Sequence, residues 1–111
     1  MIVVITSIKL KSPFSLFKHY QFAIGSINQL KSNPACIDFK VGGFYPKQFT
    51  MTLWNNTEEM KKYARTGTHL QAMQHARSVA TEVQTISFEA TELPNWKVAK
   101  EKLLAGKKIT Y

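Results

Sequence analysis

Gln48-Phe49-Thr50-Met51-Thr52-Leu53-Trp54-Asn55-Asn56-Thr57-Glu58-Glu59-Met60-Lys61-Lys62-Tyr63-Ala64 changes its repeat halfway along. Phe49, Met51 and Leu53 alternate with Thr50, Thr52 and Trp54, the two-residue period of a strand with two distinct faces. Asn55-Asn56-Thr57-Glu58-Glu59 then offers side-chain acceptors to the free N–H groups of a helix start, and acids to its positive dipole end. Met60, Tyr63 and Ala64 continue at helical spacing.

Upstream, Cys36 to Tyr45 places Ile37, Phe39 and Val41 on one face and Asp38 and Lys40 on the other. Gly42-Gly43 marks a bend late in that strand. Tyr45-Pro46-Lys47 reads as a hairpin turn into the return strand Gln48 to Asn55. Residues 2 to 10 are β-branched and apolar and read as a first strand. Ser12-Pro13 opens a helix over about residues 13 to 31, with Leu16, Phe17, Tyr20, Ala23, Ile24, Ile27 and Leu30 in one stripe, and Ser32-Asn33-Pro34 ends it. Downstream, Gly67 breaks the second helix and a further segment runs from Thr68 to about Val79. Residues 81 to 90 form a last strand, and Leu93-Pro94-Asn95 leads into a helix over residues 96 to 105.

The order β-α-β-β-α-β predicts an α+β, ferredoxin-like domain over residues 1–93, with a basic, partly helical C-terminal extension over 94–111. Such a fold places two helices on one sheet face and leaves the other bare. Both faces of these strands carry large apolar residues, Val3 and Ile5 against Ile2 and Val4, and Leu53 against Trp54. The bare face therefore needs a cover. A second copy packed sheet to sheet is expected, a homodimer in which the Trp96 extension reaches across.

Composition narrows the class. The chain has 111 residues, 44% hydrophobic and 20% charged, a globular composition with room for one domain. Cys36 is the only cysteine, so an internal disulfide and a zinc finger are excluded. The longest uncharged stretch, Tyr20 to Leu30, is far below the ~20 apolar residues of a membrane span. Met1-Ile2-Val3-Val4-Ile5 shows no leader pattern, and a cytoplasmic location is expected. The formal net charge is +8, from 15 basic and 7 acidic residues. Lys97 to Lys108 holds five lysines against Glu101, which is +4; the remaining 10 basic and 6 acidic residues give the other +4. Only Arg65 and Arg77 are arginines, although base edges and phosphates are usually read by arginine.

The stretch Thr52-Leu53-Trp54-Asn55-Asn56-Thr57-Glu58-Glu59-Met60-Lys61-Lys62-Tyr63-Ala64-Arg65-Thr66-Gly67-Thr68-His69-Leu70-Gln71-Ala72-Met73 resembles the strand-to-helix segment of the dimeric α/β-barrel proteins. These include the antibiotic-biosynthesis monooxygenases and relatives similar to spheroidene monooxygenase. The resemblance implies a dimeric α/β barrel that binds a small aromatic or polycyclic molecule and oxidises it without a cofactor. The same superfamily contains haem degraders, isomerases and decarboxylases, so fold alone does not give the activity. Haem degraders carry an aromatic nine residues after the strand-end Trp, here Tyr63, and the haem-ligand His nineteen after it, where this chain has Met73. They also use an Asn in the first strand, where this chain has Thr6 or Ser7. That set is incomplete, and no cofactor is expected, haem being the alternative.

Candidate chemistry centres on His69, which shares a helical stripe with Met73 and Ala76. A neutral imidazole beside an apolar pocket can act as a general base or hydrogen-bond a phenolic or carbonyl substrate; the competing assignment is a histidine at the core edge. Trp54, Tyr63, Arg65, Tyr20 and Met73 are the candidate ligand-binding residues. Aromatics there suit a planar ligand, and Arg65 suits an enolate oxygen. Trp54 and Tyr20 fit core packing as well, Arg65 fits a surface helix end, and His19 and His75 fit solvated faces. Cys36 reads as an inert strand thiol. No glycine-rich phosphate loop, nucleophile elbow or HExxH is present, and no metal site is expected. RNA-recognition modules share the element order, but Gln48-Phe49-Thr50-Met51-Thr52-Leu53-Trp54-Asn55 lacks their aromatic signature, so nucleic acid is not the expected partner. A non-catalytic binding or structural module is the remaining alternative.

Overall fold

A computed structural model describes residues 1–14, 24–64 and 78–111. Five strands make one antiparallel sheet: β1 (Ile2–Leu10), β2 (Cys36–Phe44), β3 (Lys47–Trp54), β4 (Ala80–Glu89) and β5 (Lys107–Thr110), in the order β2-β3-β1-β4-β5. The first four strands have the ferredoxin-like arrangement, with β1 at the centre. Helix α1 is described over residues 24–31, α2 spans Thr57–Ala64 and α3 spans Trp96–Leu103.

Local chemistry sets these boundaries. The β2–β3 register runs up to Phe44 opposite Lys47, leaving Tyr45-Pro46 as a two-residue turn, and Gly43 just before it takes a φ of 100°, open to glycine. Asn56 Oδ1 accepts from the Glu59 N–H at 2.9 Å and Asn95 Oδ1 from the Val98 N–H at 2.9 Å, so an asparagine caps the start of both α2 and α3. Asn33 Oδ1 accepts from the Ala35 N–H at 3.0 Å and turns the chain from α1 into β2.

The register separates two faces. Val3, Ile5 and Ser7 stand beside Leu53, Met51 and Phe49 on β3 and beside Phe88, Ile86 and Gln84 on β4. Ile2, Val4, Thr6 and Ile8 stand on the other side beside Trp54, Thr52, Thr50 and Gln48, and beside Glu89, Ser87, Thr85 and Val83. On this second face Val4 and Trp54 pack with Leu30 of α1 and Met60 and Tyr63 of α2, making it the helix side.

The opposite face differs from the expectation of a bare sheet. Ala99 and Leu103, both buried, pack from α3 onto Val3, Ile5, Met51 and Leu53 of the same chain. The two residues are one helical turn apart, so they share a side, and the small alanine lets the helix come close. Trp96 lies against Gly42, where an added Cβ would stand 3.0 Å from Cζ2, and meets Phe49 edge-on with centroids 6.3 Å apart. After α3 the chain turns through Gly106 and adds β5 to the free edge of β4, a strand absent from the sequence reading. Residues 96–110 thus supply core and sheet rather than only a solvated or clasping tail. Its lysines lie on the outside: Lys100 over Phe49 at 5.0 Å, Lys102 over Phe88 at 4.6 Å, and Lys108 paired with Glu82 at 3.5 Å. Among the described residues no helix is long and apolar enough to cross a membrane.

Candidate functional site

β1 is covered unequally on its two sides. Val3 and Ile5 have no exposure and Ser7 has 2%, all on the α3 side. Their alternates Ile2, Val4, Thr6 and Ile8 are only half-buried. A central strand has neighbours on both edges, so this difference reports the layers above and below it. Over β1 the α3 side is sealed, while the residues facing the helix side keep partial exposure.

Hydroxyls line this half-open surface amid aliphatic groups. Thr6 Oγ1 lies 3.2 Å from Thr85 Oγ1 across the β1–β4 pair, and Thr85 Oγ1 also donates to the Ile5 carbonyl at 3.2 Å. Val4 and Ile8 flank Thr6 along β1, and Val83 and Ser87 flank Thr85 along β4.

One end of this surface is closed by aromatic rings. Trp54 and Tyr63 lie 5.1 Å apart between centroids at 37°, with Trp54 wholly buried and Tyr63 6% exposed. The Trp54 indole N–H donates to Thr52 Oγ1 at 2.8 Å. The Tyr63 hydroxyl donates to the Ser26 carbonyl of α1 at 3.3 Å, and burial pushes its phenol well above the ordinary tyrosine range. Ser26 Oγ is buried nearby with no hydrogen-bond partner among the described residues. Burial also raises the Cys36 thiol, which donates to the Asp38 carbonyl at 3.6 Å.

Of the residues singled out from the sequence, the structure brings Trp54 and Tyr63 together. Trp54 sits there as a packed wall with its one polar atom satisfied, behind the open surface rather than on it. His69, Arg65, Tyr20 and Met73, with His19 and His75, lie outside the described residues. Between the two first-strand candidates the structure separates clearly: Thr6 turns to the helix side and Ser7 to the sealed side. Sequence reasoning passed over Thr85 and Ser26. The available signal was a threonine interrupting the aliphatic series Ile2, Val4 and Ile8, opposite a strand that carries Thr85 at the matching position.

A hollow of about 470 Å³ lies between the end of β4 and α3, against Phe88, Leu93 and Val98. Its polar members Glu89, Glu92, Asn95 and Lys102 are all exposed, so it offers a ligand no enclosed polar contact. Among the described residues no group of three His, Cys, Asp or Glu side chains is placed to hold a metal ion.

The sheet order and the helix placement define an α+β ferredoxin-like domain with the fold of the antibiotic-biosynthesis-monooxygenase-like proteins. A protein of Deinococcus radiodurans assigned to those monooxygenases superposes with a TM-score of 0.72 at 15% identity, over 86% of this chain and 97% of its own. A Mycobacterium tuberculosis protein gives 0.73 at 8% identity, over 85% and 98%. SnoaB, a cofactor-independent oxygenase of Streptomyces nogalater, gives 0.67 at 7% identity, over 85% and 96%. No protein-family model and no curated protein sequence matches the chain. At these identities the likeness is one of fold.

Proposed function

We propose that this protein binds a small aromatic or polycyclic molecule on the helix side of its sheet and oxidises it with molecular oxygen, using no bound cofactor. The observation that carries the reading is the unequal cover of β1, sealed at Val3 and Ile5 but water-accessible at Val4, Thr6 and Ile8. An apolar surface with a few converging polar groups is what a ligand site requires. The fold shared with a cofactor-independent oxygenase supports the chemistry.

In this reading Trp54 and Tyr63 form the aromatic end wall. His69, assigned from sequence, removes a proton from an activated ring position, and Arg65 holds the resulting enolate oxygen, with Tyr20 and Met73 completing the enclosure. The electron-rich anion then reduces oxygen: a ring CH2 and O2 become a ring C=O and H2O, with no external reductant. A second copy packs on the α3-bearing side, where Phe44 is 90% exposed and Phe49, Phe88 and Trp96 are half-buried.

The test is oxygen uptake with a panel of ring ketones and phenols that enolise, alongside sedimentation. Uptake by the wild type that falls at least about a hundredfold in His69→Ala is expected, together with a species of twice 12.7 kDa. Absence of both binding and uptake across the panel refutes the functional reading, and a 12.7 kDa species at micromolar protein refutes the self-association.

A further inference from the structure

We propose that the Thr6–Thr85 hydroxyl pair is the polar anchor of this site and selects ligands that carry a ring hydroxyl or ring carbonyl; this rests on the helix side being the binding site. Both threonines stand on the half-open face of adjacent central strands, 3.2 Å apart, with aliphatic neighbours along β1. Thr50, opposite Thr6 on β3, and Ser87, next along β4, are exposed, whereas Thr6 and Thr85 are half-buried beside Val4, Ile8 and Val83, and in an apolar setting an unmatched polar group is costly.

The pair can also serve either sense of hydrogen bond. Thr85 has one hydroxyl proton and two acceptors at the same 3.2 Å distance, the Ile5 carbonyl and Thr6 Oγ1. With the proton on the Ile5 side, Thr6 donates to Thr85 and turns its lone pairs outward, ready to accept from a phenol. With the proton turned to Thr6, the Thr6 hydroxyl is released to donate outward to a carbonyl or phenolate oxygen. One rotation of the Thr85 hydroxyl exchanges the two states without moving a heavy atom. A site that oxidises a ring to a ketone meets both kinds of oxygen in one turnover, and this pair accommodates both.

The inference is tested with 2-naphthol and naphthalene, which share a ring system and differ by one hydroxyl, titrated by calorimetry into the full chain. The wild type is expected to bind 2-naphthol about tenfold more tightly, the worth of one hydrogen bond. Thr6→Val keeps the shape and removes the hydroxyl, so it should bring 2-naphthol to the affinity of naphthalene while leaving naphthalene unchanged. Thr6→Ser should restore the difference. Thr85→Val, whose circular dichroism must match the wild type, serves as the second variant and should reduce the ratio as well. A ratio unchanged in both valine variants, or an equal loss of both ligands, overturns the anchor while leaving the binding site standing. A wild type that binds neither compound overturns the site and the anchor together.

Discussion

Shortening Leu103 tests whether the C-terminal segment belongs to the core. Leu103 is 3% exposed and packs among Val3, Ile5, Met51 and Leu53, none more than 4% exposed. Leu→Ala at such a position costs about 2–5 kcal/mol, the lost transfer energy plus the cavity left behind. α3 is eight residues long and held at the sheet surface, so it can settle part of the way into the gap, which argues for about 3 kcal/mol. For a domain of roughly 100 residues that lowers Tm by about 12 °C or more. Leu104 supplies the control, since it is adjacent, chemically identical and 80% exposed. Leu104→Ala should stay within about 0.5 kcal/mol of the wild type. Urea and thermal unfolding followed by circular dichroism separates the two, with equal m-values showing that the unfolded state is unchanged. If Leu103→Ala and Leu104→Ala lose the same small amount, α3 does not seal the sheet in solution.

Gly106→Ala should release β5, because the added Cβ would press on the Thr85 carbonyl oxygen and stand 3.0 Å from the Leu103 carbonyl oxygen, both backbone atoms that cannot yield. Hydrogen exchange would then rise along the outer edge of β4 while the β1–β3 amides keep their protection. Tyr63 gives a pH signature. Its phenol is raised in the folded state, so the native chain holds that proton longer than the unfolded chain does. Its contribution is whole below the unfolded value near 10 and is lost as pH rises beyond it, at up to about 1.4 kcal/mol per pH unit. Unfolding titrations from pH 8 upward should show this slope in the wild type and lose it in Tyr63→Phe. Equal slopes in the two proteins would mean that Tyr63 ionises freely and is not enclosed by Ser26 and Trp54.

The elements that follow strict periodicity were legible. The alternation Phe49, Met51, Leu53 against Thr50, Thr52, Trp54 is observed in β3, and the capping asparagines stand where α2 and α3 begin. β2 departs slightly, because a bulge between Cys36 and Asp38 sets Ile37 out of the alternation and leaves it 44% exposed. β5 was not legible for a physical reason. Lys107-Lys108-Ile109-Thr110 is exposed throughout and carries no apolar face, so its strand conformation comes from the unpaired edge of β4. That α3 of the same chain covers part of the second sheet face was not legible, because a need for cover can be read from apolar strands, whereas its supplier depends on where residues 90–95 carry the chain. For the site, the aromatic pair was legible through the resemblance of the segment from Trp54 to Tyr63 to that of the dimeric α/β-barrel proteins. The hydroxyl pair could not, since Thr6 and Thr85 lie 79 positions apart and meet only through the β1–β4 register.

The two sides of β1 are mechanically linked, and this bears on how well the site can bind. Val3 and Ile5 are locked between Met51, Leu53 and α3 with no exposure, and they alternate along one backbone with Val4 and Thr6. A strand anchored through every second residue cannot slip without turning its buried set to water. Thr6 is therefore held by the packing of its sequence neighbours, and Thr85 by the Ile5 carbonyl of that same strand. Ligand binding then spends little on ordering the hydroxyls, which are already in position, and more of the contact energy appears as affinity. It follows that loosening the far side should weaken binding on the near side. Leu103→Ala, which touches no part of the helix side, should reduce the preference for 2-naphthol over naphthalene, and it should do so while Thr6 and Thr85 are both intact. A preference that survives loss of the α3 packing would show that the hydroxyl pair is positioned by the sheet ladder alone.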